Sequence, residues 1–272
     1  MLSRIKKFVR KYLTVRVVSS VKTPVYRDHL LEGKKAVVVG AGGIGKAIAA
    51  AFLANGCEVT VTGTNREKLD RICQSLNNEN VRCVVLDVTE TKSIQRIIWD
   101  AADQMGGLDI FVYAAGIHGH DVFGSVTEET WDSVLDINLK GMYFADQAAA
   151  NYMKKHEIKG HILNVSSASC NKPGWTPYEI SKNGVKALTL GFADKLIPFG
   201  IVVNSIAPGP VATQMLGVTQ ENLAWEGNPS GRVATPEEIA NIALVMASDM
   251  GNLIVGDTFF VSGGSGTVCL DK

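Results

Sequence analysis

Tyr178 and Lys182 stand four residues apart in Tyr178-Glu179-Ile180-Ser181-Lys182, the spacing that sets two side chains one above the other on a single helix face. A phenol ionises near ~10 in water, too high for a base at neutral pH. A neighbouring ammonium favours the phenolate and brings that value closer to the operating pH that proton transfer needs. The pair alone is a weak pattern and reads equally as a surface coincidence. To become chemistry it needs a partner hydroxyl, a cofactor and a fold that brings all three together.

Gly40-Ala41-Gly42-Gly43-Ile44-Gly45 follows the β-branched run Val37-Val38-Val39 and opens an alanine-rich stretch. Glycines in that setting allow a tight strand-to-helix turn, and they let the backbone approach a pyrophosphate held at the helix N-terminus. A dinucleotide contacting Gly40, Gly42, Gly43, Ile44 and Gly45 is therefore expected. In an NAD site an acid closes the second strand and holds the ribose hydroxyls. Here that place reads Val61-Thr62-Gly63-Thr64-Asn65-Arg66, without a carboxylate. The missing acid, with Thr64, Asn65 and Arg66 in its place, favours NADP(H) over NAD(H), because an arginine suits a 2′-phosphate. Arg66 reads alternatively as an exposed first-turn residue. Asp87 and Val88, after the third strand, are placed to accept from the adenine amino group, or Asp87 is a helix cap.

The elements needed to position these residues are legible as alternating strands and helices. Strands are expected at Lys35–Val39, Glu58–Thr62, Val81–Leu86, Asp109–Tyr113, His161–Val165, Ile201–Ile206 and Thr258–Val261. Helices are expected at Ile44–Asn55, Arg66–Leu76, Lys92–Met105, one long span over 128–153, and near 176–197 and 236–249. Strands apolar throughout, alternating with amphipathic helices, predict a doubly wound α/β parallel sheet of about seven strands covered on both faces. The 272 residues suit one such domain. Cys57, Cys73, Cys83, Cys170 and Cys269 have neither CxxC nor Cys/His spacing, so they read as reduced thiols, with no disulfide framework and no metal site. No apolar run reaches the ~18 residues of a membrane span.

Formal charge balances to zero, which gives no global attraction to nucleic acid, but it is unevenly placed. Residues 1–35 hold ten basic and two acidic side chains, leaving 17 basic and 25 acidic beyond them. Leu2, Ile5, Val9, Tyr12 and Leu13 recur at helical spacing, with Arg4, Lys6, Lys7, Arg10 and Lys11 on the other face. Residues 1–32 thus read as a basic amphipathic extension ahead of a domain at 33–272. Its stripe packs on its own domain or a neighbouring subunit, lies on an anionic membrane through residues 1–16, or serves as an organelle-targeting segment. The domain itself reads as cytoplasmic.

Taken together, these motifs resemble the short-chain dehydrogenase/reductase family in its single-domain, Rossmann-type form, over about residues 33–266. Tyr113-Ala114-Ala115-Gly116 stands where the family has Asn-Asn-Ala-Gly. Asn138, Ser167, Tyr178 and Lys182 match the four catalytic residues. The resemblance implies cofactor contacts from Ala115, Gly116, Tyr178, Lys182, Pro208, Gly209, Val211 and Thr213. Three departures stand out. The first two glycines are one residue closer than usual, the two asparagines are replaced by Tyr113 and Ala114, and Ser167 lies only eleven residues before Tyr178, which keeps Ser166 open as the catalytic hydroxyl.

The implied reaction is hydride transfer between NADP(H) or NAD(H) and a carbonyl or secondary alcohol, with Tyr178 as acid and base. The implied assembly is a homotetramer or homodimer through the helices at 128–153 and 176–197. A lid at Met215–Ser230, with Leu216 and Trp225, together with His118, His120 and Trp175, is expected to border the substrate, although each reads equally as packing. Two alternatives remain from the sequence: a peripheral membrane reductase of lipid-linked or acyl substrates, and a non-catalytic dinucleotide-binding scaffold.

Overall fold

A computed structural model describes residues 29–119, 121–217 and 223–268. The readings placed on the basic arm ahead of His29, on His120, on part of the 215–230 segment and on Cys269 lie outside the described residues.

Seven parallel strands form one sheet in the order β3-β2-β1-β4-β5-β6-β7: β1 Lys35–Val39, β2 Glu58–Gly63, β3 Val81–Val85, β4 Ile110–Tyr113, β5 His161–Val165, β6 Val202–Pro208 and β7 Thr258–Val261. The order reverses between β1 and β4, and a sheet wound this way opens a crevice at the carboxyl ends of those two strands. Alternation within the strands separates two cores. Val37, Val39, Phe111, Tyr113, Ile162 and Val203 face α3 (Thr91–Met105), α5 (Gly141–Lys155) and α6 (Pro177–Leu196). Ala36, Val38, Val61, Val112, Leu163 and Ile206 face α1 (Gly43–Ala54), α2 (Arg66–Leu76) and α7 (Pro236–Ala247). Each fully buried Val, Leu or Ile contributes roughly 1.5–3 kcal/mol, so two filled faces hold the strand ends rigid. Leu31 joins the second core, and its N–H donates to Asn55 O at 3.1 Å.

Two expectations are corrected. The single helix foreseen over 128–153 is α4 (Glu128–Leu135), a π-turn at Asp136–Lys140, and then α5. Gly141 N–H reaches back five residues to Asp136 O, and a Cβ on Gly141 would lie 2.9 Å from Val88 Cβ. The helix widens because its backbone runs directly against the end of the third strand. Cys73 and Cys83, read as reduced thiols, are joined by a disulfide with Cα atoms 6.4 Å apart. Asn77, in a left-handed conformation at φ 42°, ends α2 and returns the chain along β2. That fold-back brings the two cysteines together without any local motif. Cys57 and Cys170 remain free and buried.

Candidate active site

At the end of β1 the chain turns through four glycines, of which two admit no side chain. A Cβ on Gly40 (φ 115°) would meet Ala115 N at 2.5 Å, and one on Gly45 would meet Gly40 O at 2.0 Å. This binds the start of α1 to the end of β4. Gly42 takes the N-cap position with no side chain capping the helix, and nothing lies within 4 Å of where its Cβ would be. Elsewhere Asn65, Thr127, Thr176 and Thr235 cap α2, α4, α6 and α7. An uncapped helix end facing open space at the sheet's crossover point suits a pyrophosphate, and the residues present fit a dinucleotide. Ile44 lies in the first turn of the same helix, and Thr213 Cγ2 would be 2.9 Å from a Cβ on Gly43.

The neighbouring strand ends complete this rim. Thr64, Asn65 and Arg66 are exposed after β2. Asn65 Oδ1 accepts from Lys68 N–H at 2.8 Å, and Arg66 lies 3.7 Å from Asp70 with its Nη1 donating to Cys83 O at 3.5 Å. Asp87 Oδ1 accepts from both Thr89 N–H and Thr89 Oγ1, which fixes the carboxylate beside the buried Val88. Pro208 ends β6, and Gly209 N–H donates to Val261 O at 3.2 Å. Val211 pairs with Ala234, tying the 208–213 segment to the approach of α7.

A capping box, Thr176 with Glu179, starts α6 and places Tyr178 in its first turn. Such a box contributes about 1 kcal/mol, and it accounts for the glutamate inside the Tyr-Glu-Ile-Ser-Lys segment. Ser167 faces the Tyr178 phenol, and its Oγ accepts from Ser169 N–H at 3.1 Å. Ser166 points elsewhere: its Oγ donates to Lys182 O at 3.2 Å in the interior. Lys182 is buried, and its Nζ donates to Val165 O at 2.9 Å.

The ammonium affects the phenol less than its spacing suggested. Burial pushes the Tyr178 phenol up, and the Ser167 hydrogen bond pulls it down. Lys182 Nζ lies 5.7 Å from the phenol ring centroid, and its own pKa is pushed down by burial to about 8. In this arrangement burial outweighs the serine's pull, and the Tyr178 phenol stays above its ordinary value.

Asn138, inside the π-turn and fully buried, ties the site together. Its Oδ1 accepts from Ile117 N–H at 2.8 Å, and its Nδ2 donates to Ile117 O at 2.9 Å and Ser181 Oγ at 3.1 Å. Ser181 in turn donates to Tyr178 O at 2.7 Å. A Cβ on Gly116 would lie 3.3 Å from Asn138 Oδ1 and 3.5 Å from Lys182 Nζ, so Ala115-Gly116 passes directly over the pair. Sequence reasoning missed Ser181 and the double clamp on the Ile117 peptide. The serine inside the Tyr-to-Lys segment was the available signal for the first.

Of the residues foreseen around the substrate, two meet the tetrad's helix. The His118 ring lies 4.4 Å from the Tyr178 ring, and Trp175 N–H donates to Glu179 Oε2 at 3.0 Å while its indole packs edge-on against Phe123 at 5.4 Å. Leu216 sits in the turn after Thr213, its N–H donating to Thr213 O at 3.0 Å. Trp225 lies in a separate turn closed by its N–H to Gly231 O at 2.9 Å, with its indole Nε1 over Gly227.

The chain matches a family model described as enoyl-(acyl carrier protein) reductase over residues 39–266. It is 33% identical over 245 residues to the 3-oxoacyl-(acyl-carrier-protein) reductase FabG of Chlamydia pneumoniae, covering 87% of this chain and 98% of the relative. It is 35% identical over 249 residues to L-rhamnose-1-dehydrogenase of Scheffersomyces stipitis, covering 86% and 96%. A short-chain type dehydrogenase/reductase from Mycobacterium marinum superposes with a TM-score of 0.81 at 29% identity, covering 89% of this chain and 99% of that one.

Proposed function

Because the chain belongs to the short-chain dehydrogenase/reductase family, NAD(P)-dependent oxidoreductases that move hydride between a nicotinamide and a carbonyl or secondary alcohol, we propose that Tyr178 is its acid–base group and Ser167 its partner hydroxyl. The observation that carries this is the buried cluster at the start of α6: Lys182 and Asn138 are buried beside Tyr178, with Asn138 Nδ2 donating to Ser181 Oγ at 3.1 Å and Ser181 Oγ donating to Tyr178 O at 2.7 Å. When bound, a nicotinamide supplies or accepts the hydride. Ser167 and Tyr178 hold the carbonyl oxygen by hydrogen bonds, and fixed donors at the point where charge develops are the largest expected catalytic effect. Tyr178 Oη delivers the proton to that oxygen, or takes it away in the oxidative direction. Lys182 holds the nicotinamide ribose, and Asn138 keeps the lysine's surroundings in place.

For the cofactor, Gly40, Gly42, Gly43, Ile44 and Gly45 take the pyrophosphate. Asp87 and Val88 take the adenine, and Ala115, Gly116, Pro208, Gly209, Val211 and Thr213 border the nicotinamide half. NADP(H) is preferred, with Arg66 facing the 2′-phosphate. Among the described residues no helix is long and apolar enough to cross a membrane. Phe123, Trp175 and Leu216 suit a ketone with an apolar flank, and a sugar stacked on the Trp175 indole is the second reading, favoured by the rhamnose dehydrogenase relative. The enzyme assembles as a homotetramer or homodimer through α4–α5 and α6.

A panel of apolar ketones, 3-oxoacyl thioesters and sugars, assayed with NADPH and NADH in parallel, tests this reading. Turnover of apolar ketones with NADPH is expected, and Arg66→Ala should lower kcat/KM for NADPH about 10-fold while leaving NADH unchanged, the worth of one charge-assisted contact. Equal loss with both cofactors would contradict the phosphate role.

A further inference from the structure

The π-turn that carries Asn138 is held from below by a residue outside the tetrad. Tyr113, the last residue of β4, is fully buried, and its hydroxyl donates to Ile137 O at 2.6 Å. Ile137 is the residue immediately before Asn138, within the five-residue turn whose ladder slips by one position. A wide turn of this kind weakens regular backbone pairing, and such turns persist where a side chain serves the freed groups. Burial, first, and then the carboxylates of Asp146 and Asp87 push the Tyr113 phenol well above its ordinary range, so it stays a donor throughout the working pH range.

Resting on the reading of Asn138 and Tyr178 as parts of one active site, we propose that Tyr113 is a positioning residue for proton transfer, fixing the Ile137 carbonyl and thereby the placement of Asn138. The chain of contacts runs from Tyr113 Oη to Ile137 O, along one peptide to Asn138, and from Asn138 Nδ2 to Ser181 Oγ, one residue before Lys182. Tyr113 touches neither substrate nor cofactor. Removing its hydroxyl leaves the Ile137 carbonyl unheld, so the asparagine beside it shifts relative to the Ile117 peptide and Ser181 while the Gly141–Val88 contact keeps the turn. A displacement of about 1 Å at a catalytic group costs up to ~10²-fold in rate.

The test is a double-mutant cycle on the full-length enzyme with its best substrate from the panel, using Tyr113→Phe, Asn138→Ala and the pair, with Tyr178→Phe run beside them. Tyr113→Phe is expected to lower kcat about 10-fold with KM for NADPH within about twofold, and to cost less than about twofold once Asn138 is already alanine, since residues acting through one another are not additive. A full 10-fold loss in the Asn138→Ala background, or a kcat equal to wild type with only the melting temperature lowered, would overturn the proposal. Loss in Tyr178→Phe but not in Tyr113→Phe sinks this inference alone, whereas full activity in Tyr178→Phe sinks the reading beneath it. Should Tyr113→Phe not fold, Tyr113→Met fills the same space without a hydroxyl and carries the same expectation.

Discussion

Ser166 and Ser167 are adjacent, and the sequence left both open as the assisting hydroxyl. Just past the end of β5 the chain turns them apart: Ser167 toward Tyr178, Ser166 into the interior against Lys182 O. Their substitutions should therefore separate. Ser167→Ala is expected to lower kcat about 10²-fold, as for a lost oxyanion donor, beside a stability cost of about 1 kcal/mol for the lost bond to Ser169 N–H. Ser166→Ala is expected to keep kcat and to destabilise by about 1 kcal/mol, the net worth of one buried hydrogen bond. Steady-state kinetics and thermal melts on both variants check this, and equal kinetic losses would refute the assignment. Ser167→Ala should also raise the apparent pKa of Tyr178, because the hydrogen bond that lowers it is gone. At this scale the Tyr178–Lys182 pair was legible from residue type and spacing, and Asn138 and Ser167 were candidates only through the family resemblance, whereas the direction of Lys182 was not legible. Its i,i+4 spacing says that the side chains are neighbours, and only the burial of the ammonium against Val165 O decides where its charge points.

The helix after β4 shows where element-level reading stops. A periodic apolar pattern over 128–153 reads as one helix, and the π-turn inside it arises from Gly141 meeting Val88, a contact between elements distant in sequence. The same helix carries a buried acid with no part in the proposed reaction. Asp146, completely buried, accepts from Asn164 Nδ2 at 2.7 Å, and burial pushes its carboxyl up to about 8. An unfolded carboxyl ionises near ~3.9. The unfolded chain therefore releases this proton first, and the stability present below about 4 is lost as pH rises through about 8. Asp146→Asn removes that linkage. Melting temperatures of the variant and its parent are expected to diverge in the variant's favour between about pH 4 and pH 8 and to run parallel above it. A constant difference across that range would contradict a raised carboxyl pKa.

For the whole molecule, the doubly wound parallel sheet and its seven strands follow from patterns visible in the chain, because fully buried strands leave continuous apolar runs, whereas the strand order and the crevice between β1 and β4 appear only in the fold. The Cys73–Cys83 link was invisible, since helix and strand meet only after the backbone folds at Asn77. Surface composition points to assembly. Tyr143 and Phe144 on α5 and Leu190 on α6 are exposed, and Tyr143 packs edge-on against Phe192 across the two helices at 5.4 Å. Large apolar side chains grouped on adjacent helices are what the proposed assembly would cover. Leu190→Asp with Tyr143→Glu is expected to shift the enzyme to smaller species in sedimentation, and an unchanged oligomer would place the interface elsewhere.

The central claim, that Tyr178 moves the proton, is tested most directly by Tyr178→Phe in a coupled measurement of NADPH oxidation and carbonyl reduction with the best substrate of the panel. The account predicts a loss of at least ~10²-fold in kcat, with NADPH affinity and melting temperature close to wild type. Turnover within a few-fold of wild type would contradict it.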